Sequence, residues 1–151
     1  MKKVKINYSE QDYQSFITDL KSYEENLVCL MRMNNNTLDF KLKAHMKNDD
    51  IDEWIETLQK TLVRAESFKS LKGKVRNHAE IELTDDEYLE LIRCLWEEIE
   101  HGKDRLDDYK SGRFSWGEDM IPVEKANIIR RIALYEKLEG KPYILNHNSV
   151  I

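Results

Sequence analysis

Glu98 and His101 stand three residues apart, an E-x-x-H spacing that places both side chains on one face of a helix. Di-iron carboxylate bundles use two such pairs plus two further glutamates from facing helices. Only one pair is present, and the segment expected to face it, 123–139, contains no histidine. An exposed Glu98–His101 ion pair is therefore the expectation, not a metal centre. The four histidines, His45, His78, His101 and His147, show no ligand spacing with one another or with Cys29 and Cys94. Both cysteines fall inside apolar patterns, which reads as small buried hydrophobes and not as a disulfide or metal pair. A Gly-rich phosphate loop, a nucleophile elbow and an H-E-x-x-H are all absent from the sequence. The reading is a non-enzyme with no cofactor and no metal.

Charge and aromatic residues carry more information. Glu87, Glu90, Glu97, Glu98, Asp104, Asp107 and Asp108 stand off the apolar stripe of one long helix, and Glu118 and Asp119 extend the negative field. Such a face is either a solvated helix surface or a surface that competes for a basic groove through electrostatic complementarity. Arg113, Phe114 and Trp116 form a loop flanked by Gly112 and Gly117. Aromatics in an Arg- and Gly-bearing loop suit a protein-binding hot spot, or a plug for the end of a helical hairpin. Lys69, Lys72, Lys74 and Arg76 make a compact basic run that could touch phosphates with salt-dependent, sequence-blind affinity.

The elements that position these residues follow from periodicity. Thr84 and Glu87 form a capping box, and Asp85 and Asp86 occupy the first turn, where the helix dipole favours them. Tyr88, Leu91, Ile92, Leu95, Ile99, Leu106 and Tyr109 then recur at helical spacing. Residues 4–8 read as a short strand, and Ser9 to Asp12 as a second capping box opening a helix with Tyr13, Phe16, Ile17 and Leu20 inward. These two stretches echo one another at an offset of about 75 residues, pairing Ser9 with Thr84 and Tyr13 with Tyr88. Two instances of a general strand–cap–helix pattern account for the echo as readily as a duplication.

Residues 27–46 could continue the first helix. Asn34-Asn35-Asn36 is a turn signal, however, and Leu38, Phe40, Leu42 and Ala44 alternate with Asp39, Lys41 and Lys43. The expectation is a β-hairpin, 27–33 and 37–45. Asn48-Asp49-Asp50 caps a helix with Ile51, Trp54, Ile55, Leu58, Leu62 and Ala65 inward, ending before Gly73, and a strand within 75–83 leads into the central helix. Past a turn at 111–119, Pro122 sits near the start of a last helix that runs to Gly140 and packs antiparallel on the central one.

Composition sets the outer bounds. The chain has 151 residues, 40% apolar and 35% charged, enough for one domain with a core and a heavily solvated surface. No apolar run is long enough to span a bilayer, and no signal peptide is visible, so a cytoplasmic protein is expected. The net charge of −5 is uneven: residues 77–151 carry −7 and residues 1–76 carry +2.

In its C-terminal half, ELTDDEYLELI opening an acidic helix and IPVEKANIIRRIALYEKLEG as its partner resemble the small Lys/Glu/Asn-rich accessory proteins of bacteriophages and mobile elements of Gram-positive bacteria. That group includes anti-CRISPR and other counter-defence inhibitors. The resemblance is one of style, carries over no individual residue, and implies a protein that works by binding a host or phage partner.

Together these readings predict an α+β fold. A small antiparallel sheet is packed by two helices in residues 1–78. A strand and a helical hairpin follow in 79–142, packed on the first part as one domain, with a tail at 143–151. The expected function is a non-enzymatic inhibitor that binds a host protein or nucleoprotein complex through the acidic surface of Glu90, Glu97, Glu98, Asp104, Asp107 and Asp108. The alternative is a nucleic-acid-associated regulator using the basic run. A homodimer, in which an amphipathic helix pair completes its core, is also open.

Overall fold

A computed structural model describes residues 1–6, 9–44, 48–75 and 80–143. Its element order is β1 (Lys2–Val4), α1 (Glu10–Lys43), α2 (Asn48–Lys74), β2 (Ile81–Leu83), α3 (Asp85–Lys110) and α4 (Gly117–Glu139). The α+β expectation is overturned: 82% of the described residues are helical, and the strands form only a two-stranded sheet. That sheet pairs β1 with β2 antiparallel, Lys2 opposite Leu83 and Val4 opposite Ile81.

The hairpin expected at 27–33 and 37–45 is helix instead, since α1 runs unbroken through Asn34-Asn35-Asn36 to Lys43. Tertiary packing overrides the local turn signal. Leu27, Met31, Asn34, Leu38 and Lys41 recur at alternating spacings of four and three, and Ile51, Trp54, Leu58, Thr61, Ala65 and Phe68 do the same on α2. These are the least exposed positions of the two distal helices, so α1 and α2 pair as an antiparallel coiled coil. Asn34, which reads alone as a turn residue, lies buried in the seam and donates from Nδ2 to Thr61 Oγ1 at 3.2 Å. Helix nucleation favours this outcome, because a long helix with a packed stripe gains more than a short hairpin with none.

Of the expected caps, the box at Thr84 is complete, the box at Ser9 shows its serine half, and the residues before α2 lie outside the described residues. Ser9 Oγ accepts from the Asp12 backbone N–H at 3.1 Å, and Thr84 and Glu87 form the full capping box. The echo between the two halves extends into the architecture. Each half is a strand, a capped helix and a returning helix, and the two strands pair with each other. Tyr13 donates to the Val75 carbonyl at the end of α2 (3.1 Å), and its counterpart Tyr88 donates to the Leu138 carbonyl at the end of α4 (3.0 Å).

The two helical hairpins cross. Glu87 near the start of α3 meets Ser70 and Lys74 of α2, Glu90 meets Arg64 of α2 and Tyr23 of α1, and Arg131 of α4 meets Asp19 of α1. The main core lies at the crossing and draws on both halves, including Phe16, Leu20, Phe68, Leu71, Leu91 and Leu95. A second, smaller core of Ile99, Leu106 and Ile128 belongs to α3 and α4 alone. At its centre Gly102 is required: a Cβ there would stand 2.9 Å from both Glu124 Oε1 and Ile128 Cγ1. Pro122 lies one turn inside α4, because the helix begins earlier than expected, at Gly117.

Candidate functional site

The acidic face divides into buried and exposed members. Glu90 and Glu98, expected on the surface, are each 1% exposed, and Glu87 is buried as well. Crossing hairpins cover the flank of α3 that a lone helix would turn to water. Glu90 is the centre of a network: Tyr23 donates to Oε2 at 2.5 Å, and Arg93 and Arg64 donate to Oε1 at 2.6 and 3.2 Å. Arg64 also donates to the Tyr23 hydroxyl at 2.7 Å. Burial, reinforced by the Glu90 carboxylate, pushes the Tyr23 phenol well above its usual range.

Glu98 has a different environment. Among the described residues its Oε1 has no hydrogen-bond partner, and His101 is exposed on the helix surface, so the expected exposed Glu98–His101 ion pair is corrected. Beside Glu98, Arg131 forks onto Asp19 with Nε–Oδ2 at 3.0 Å and Nη2–Oδ1 at 2.9 Å. Arg105 and Arg131 both reach Glu124 Oε1, at 3.1 and 3.5 Å. Burial raises the Asp19 carboxyl above its ordinary value even with Arg131 opposing it. These groups lock the crossing together, and Asp19 and Arg131 also line an open pocket of about 380 Å³ with Asp12, Phe16, Ile129 and Arg130.

The exposed remainder of the acidic face gathers toward one end. Asp104, Asp107 and Asp108 on the last turns of α3, with Glu118 and Asp119 on the first turn of α4, are all exposed. Glu97 is half-buried, with Arg64 Nη2 at 3.9 Å. Between these carboxylates the hairpin turns through residues 111–116. Phe114 and Trp116 stack there with centroids 4.9 Å apart and planes at 20°, and Tyr109 meets Trp116 edge-on at 5.6 Å. The aromatics do not plug the hairpin end from inside: Trp116 is 52% exposed and Phe114 36%. The turn is nonetheless well defined. Gly112 takes φ 75°, and Gly117 packs so close that a Cβ would lie 3.0 Å from the Tyr109 carbonyl oxygen. Arg113 Nη1 stands 3.9 Å from Asp108 Oδ1, both well exposed.

The basic run is largely engaged within the molecule. Lys72 pairs with Glu24 at 2.6 Å, and Lys74 pairs with Glu87 at 2.6 Å and donates to the Glu82 carbonyl. Lys69 is exposed, and Arg76 lies outside the described residues. Cys94 is buried and its thiol is raised by burial, whereas Cys29 is exposed, correcting the reading of both as buried. Of the four histidines only His101 lies within the described residues, where no group of three or more His, Cys, Asp or Glu is arranged to hold a metal ion. No described helix is long and apolar enough to cross a membrane.

Sequence patterns gave no signal for Asp19, Tyr23, Arg64, Glu124 and Arg131, because each reads as an ordinary polar residue on an amphipathic helix. Compared with family models, curated proteins and solved structures, the chain matches none.

Proposed function

We propose that this protein acts by binding, and that the tip of the α3–α4 hairpin is the surface that binds. The observation that carries this is the exposed Phe114–Trp116 stack, held by Tyr109, with exposed Asp104, Asp107, Asp108, Glu118 and Asp119 on the helix turns that flank it in the chain. Stacked aromatics supply rigid apolar area and a π-face for a guanidinium or ammonium, and surrounding carboxylates steer a basic partner toward it. The partner is accordingly a basic surface of another macromolecule. The resemblance to phage accessory proteins fits an intracellular inhibitor that covers a nucleic-acid-facing surface of a host defence complex. Glu90 and Glu98 have no part in this contact, since both are buried.

The test is capture from nuclease-treated and untreated bacterial lysate by three proteins: wild type, the F114A/W116A variant, and the D104K/D107K/D108K variant. A nuclease-resistant partner retained by wild type and reduced at least about tenfold by each variant supports the reading, as expected for loss of a hot spot. Equal capture by all three removes the tip from the account. Capture that vanishes with nuclease redirects attention to Lys69 and the basic run.

A further inference from the structure

We propose that the α1–α2 arm is a dimerisation surface, and that two copies of this chain pair through it as an antiparallel four-helix bundle. A two-helix coiled coil needs apolar residues at two positions in seven, whereas a bundle helix needs a third, adjacent position. The arm has that third position apolar in both helices on one flank, whereas the other flank has it apolar in α1 alone, at Leu30, 37% exposed. Immediately after the seam residues Leu27, Lys41, Trp54 and Thr61 come Val28, Leu42, Ile55 and Leu62. These are 41%, 50%, 40% and 50% exposed. Their spacing after the seam residues puts them on one flank, the flank on which Val28 and Met31 of α1 line an open groove of about 370 Å³ with Ala65 and Lys69 of α2. The opposite flank, marked by Tyr23 and Arg64, is the one that α3 covers through Glu90.

A second copy fits because the flank is complementary to itself. A two-fold axis crossing the arm at Asn35 sets Val28 of one copy opposite Leu42 of the other. The matching midpoint of Ile55 and Leu62 falls between Leu58 and Gln59. The Asn34–Thr61 hydrogen bond and the Lys41–Trp54 cation–π contact fix how α1 and α2 align. With that alignment the two midpoints coincide in height to within about 2 Å, given 1.5 Å of rise per residue. One axis therefore serves both helices. The same axis puts Arg32 of one copy beside Asp39 of the other, twice per dimer, a reciprocal charge match along the α1 edge. It also sets Asp52 opposite Glu66 on the outer edge of α2. That like-charge contact is open to solvent and weak against the burial of eight apolar side chains.

Sedimentation of the full chain tests this. Wild type is expected as a dimer at micromolar concentration. L62E is expected as a monomer with unchanged helical circular dichroism, because Leu62 is half exposed within one copy. N35C in a C29S background places a thiol on the two-fold axis and is expected to cross-link to its own counterpart on oxidation. R32D is expected to weaken the dimer several-fold, and R32D/D39R to restore it. A monomeric wild type overturns the proposal. So does a dimer that survives L62E, or one in which N35C fails to cross-link.

Discussion

Glu90 and Glu98 are two turns apart on one helix and equally buried, yet they respond oppositely to the same substitution. Glu90 satisfies Tyr23, Arg64 and Arg93, so E90M would leave the buried Tyr23 phenol without its acceptor, and Arg64 and Arg93 to the water on their exposed sides. A loss of about 2 kcal/mol is expected, chiefly from stranding that buried donor. Glu98 Oε1 accepts nothing among the described residues, while Arg131 already has Asp19 and Glu124. E98M removes a desolvated oxygen and is expected to be neutral or stabilising by up to about 1 kcal/mol. Urea unfolding of the two variants decides the matter, and equal losses would show that Glu98 holds Arg131 in place. Glu87 gives a pH prediction. Burial pushes its carboxyl up, but Lys74, Ser70 and the Thr84 N–H outweigh burial and hold it below its usual value. A folded pKa below the unfolded one means the stabilisation is fully present above the unfolded value and is lost as pH falls through the folded one. The stability gap between wild type and E87Q should therefore be widest near neutral pH and close on the acid side of 4.5, the ordinary value for this group. A gap that widens in acid would contradict the geometry around Lys74.

Single elements were legible where one helix specified itself, and illegible where a neighbour decided. The Thr84–Glu87 capping box and the inward stripe through Leu91, Leu95 and Ile99 locate α3 from sequence, and all three stripe residues are fully buried. The stretch 27–43 misleads because Asn34-Asn35-Asn36 has the local chemistry of a turn, whereas only α2 supplies the seam that makes Asn34 a coiled-coil residue. The exposed acids and the aromatic turn at 111–116 were visible in sequence; the burial of Glu90 and Glu98 was not, since it follows from how hairpins cross. At this scale two changes are predicted. In N34L, Thr61 keeps its bond to the Thr57 carbonyl, so no hydroxyl is stranded. Stability should rise by about 1 kcal/mol while the seam loses its polar contact between the two helices at Asn34. G102A works the other way. Its Cβ meets Glu124 and Ile128 at 2.9 Å, which should cost about 1–3 kcal/mol and lower the melting temperature.

At the scale of the whole molecule, crossing two hairpins concentrates stability in the middle and leaves both ends dependent on their own pairs. The crossing combines the larger core with the Glu90 and Arg131 networks, drawing on α1, α2, α3 and α4 together. Toward its tip the α3–α4 hairpin has only Ile99, Leu106 and Ile128 fully inside, and the distal α1–α2 arm has Asn34 and Thr61 as its buried layer. Local opening should therefore cost least at the two ends and most at the centre. Native-state hydrogen exchange is expected to rank the amides accordingly. The slowest should lie around Tyr23, Phe68 and residues 91–95, with faster exchange beyond Leu106 in α3 and beyond Asn34 in α1. The two proposed contacts then acquire distinct signatures. A partner on the aromatic tip should slow exchange in the last turns of α3 and the first turns of α4 without touching the arm. Pairing of two arms should slow α1 beyond Asn34 in a concentration-dependent way and leave the tip unchanged. Uniform exchange along α1 at every protein concentration would mean that the arm is stable alone and that its outer apolar flank needs no second copy.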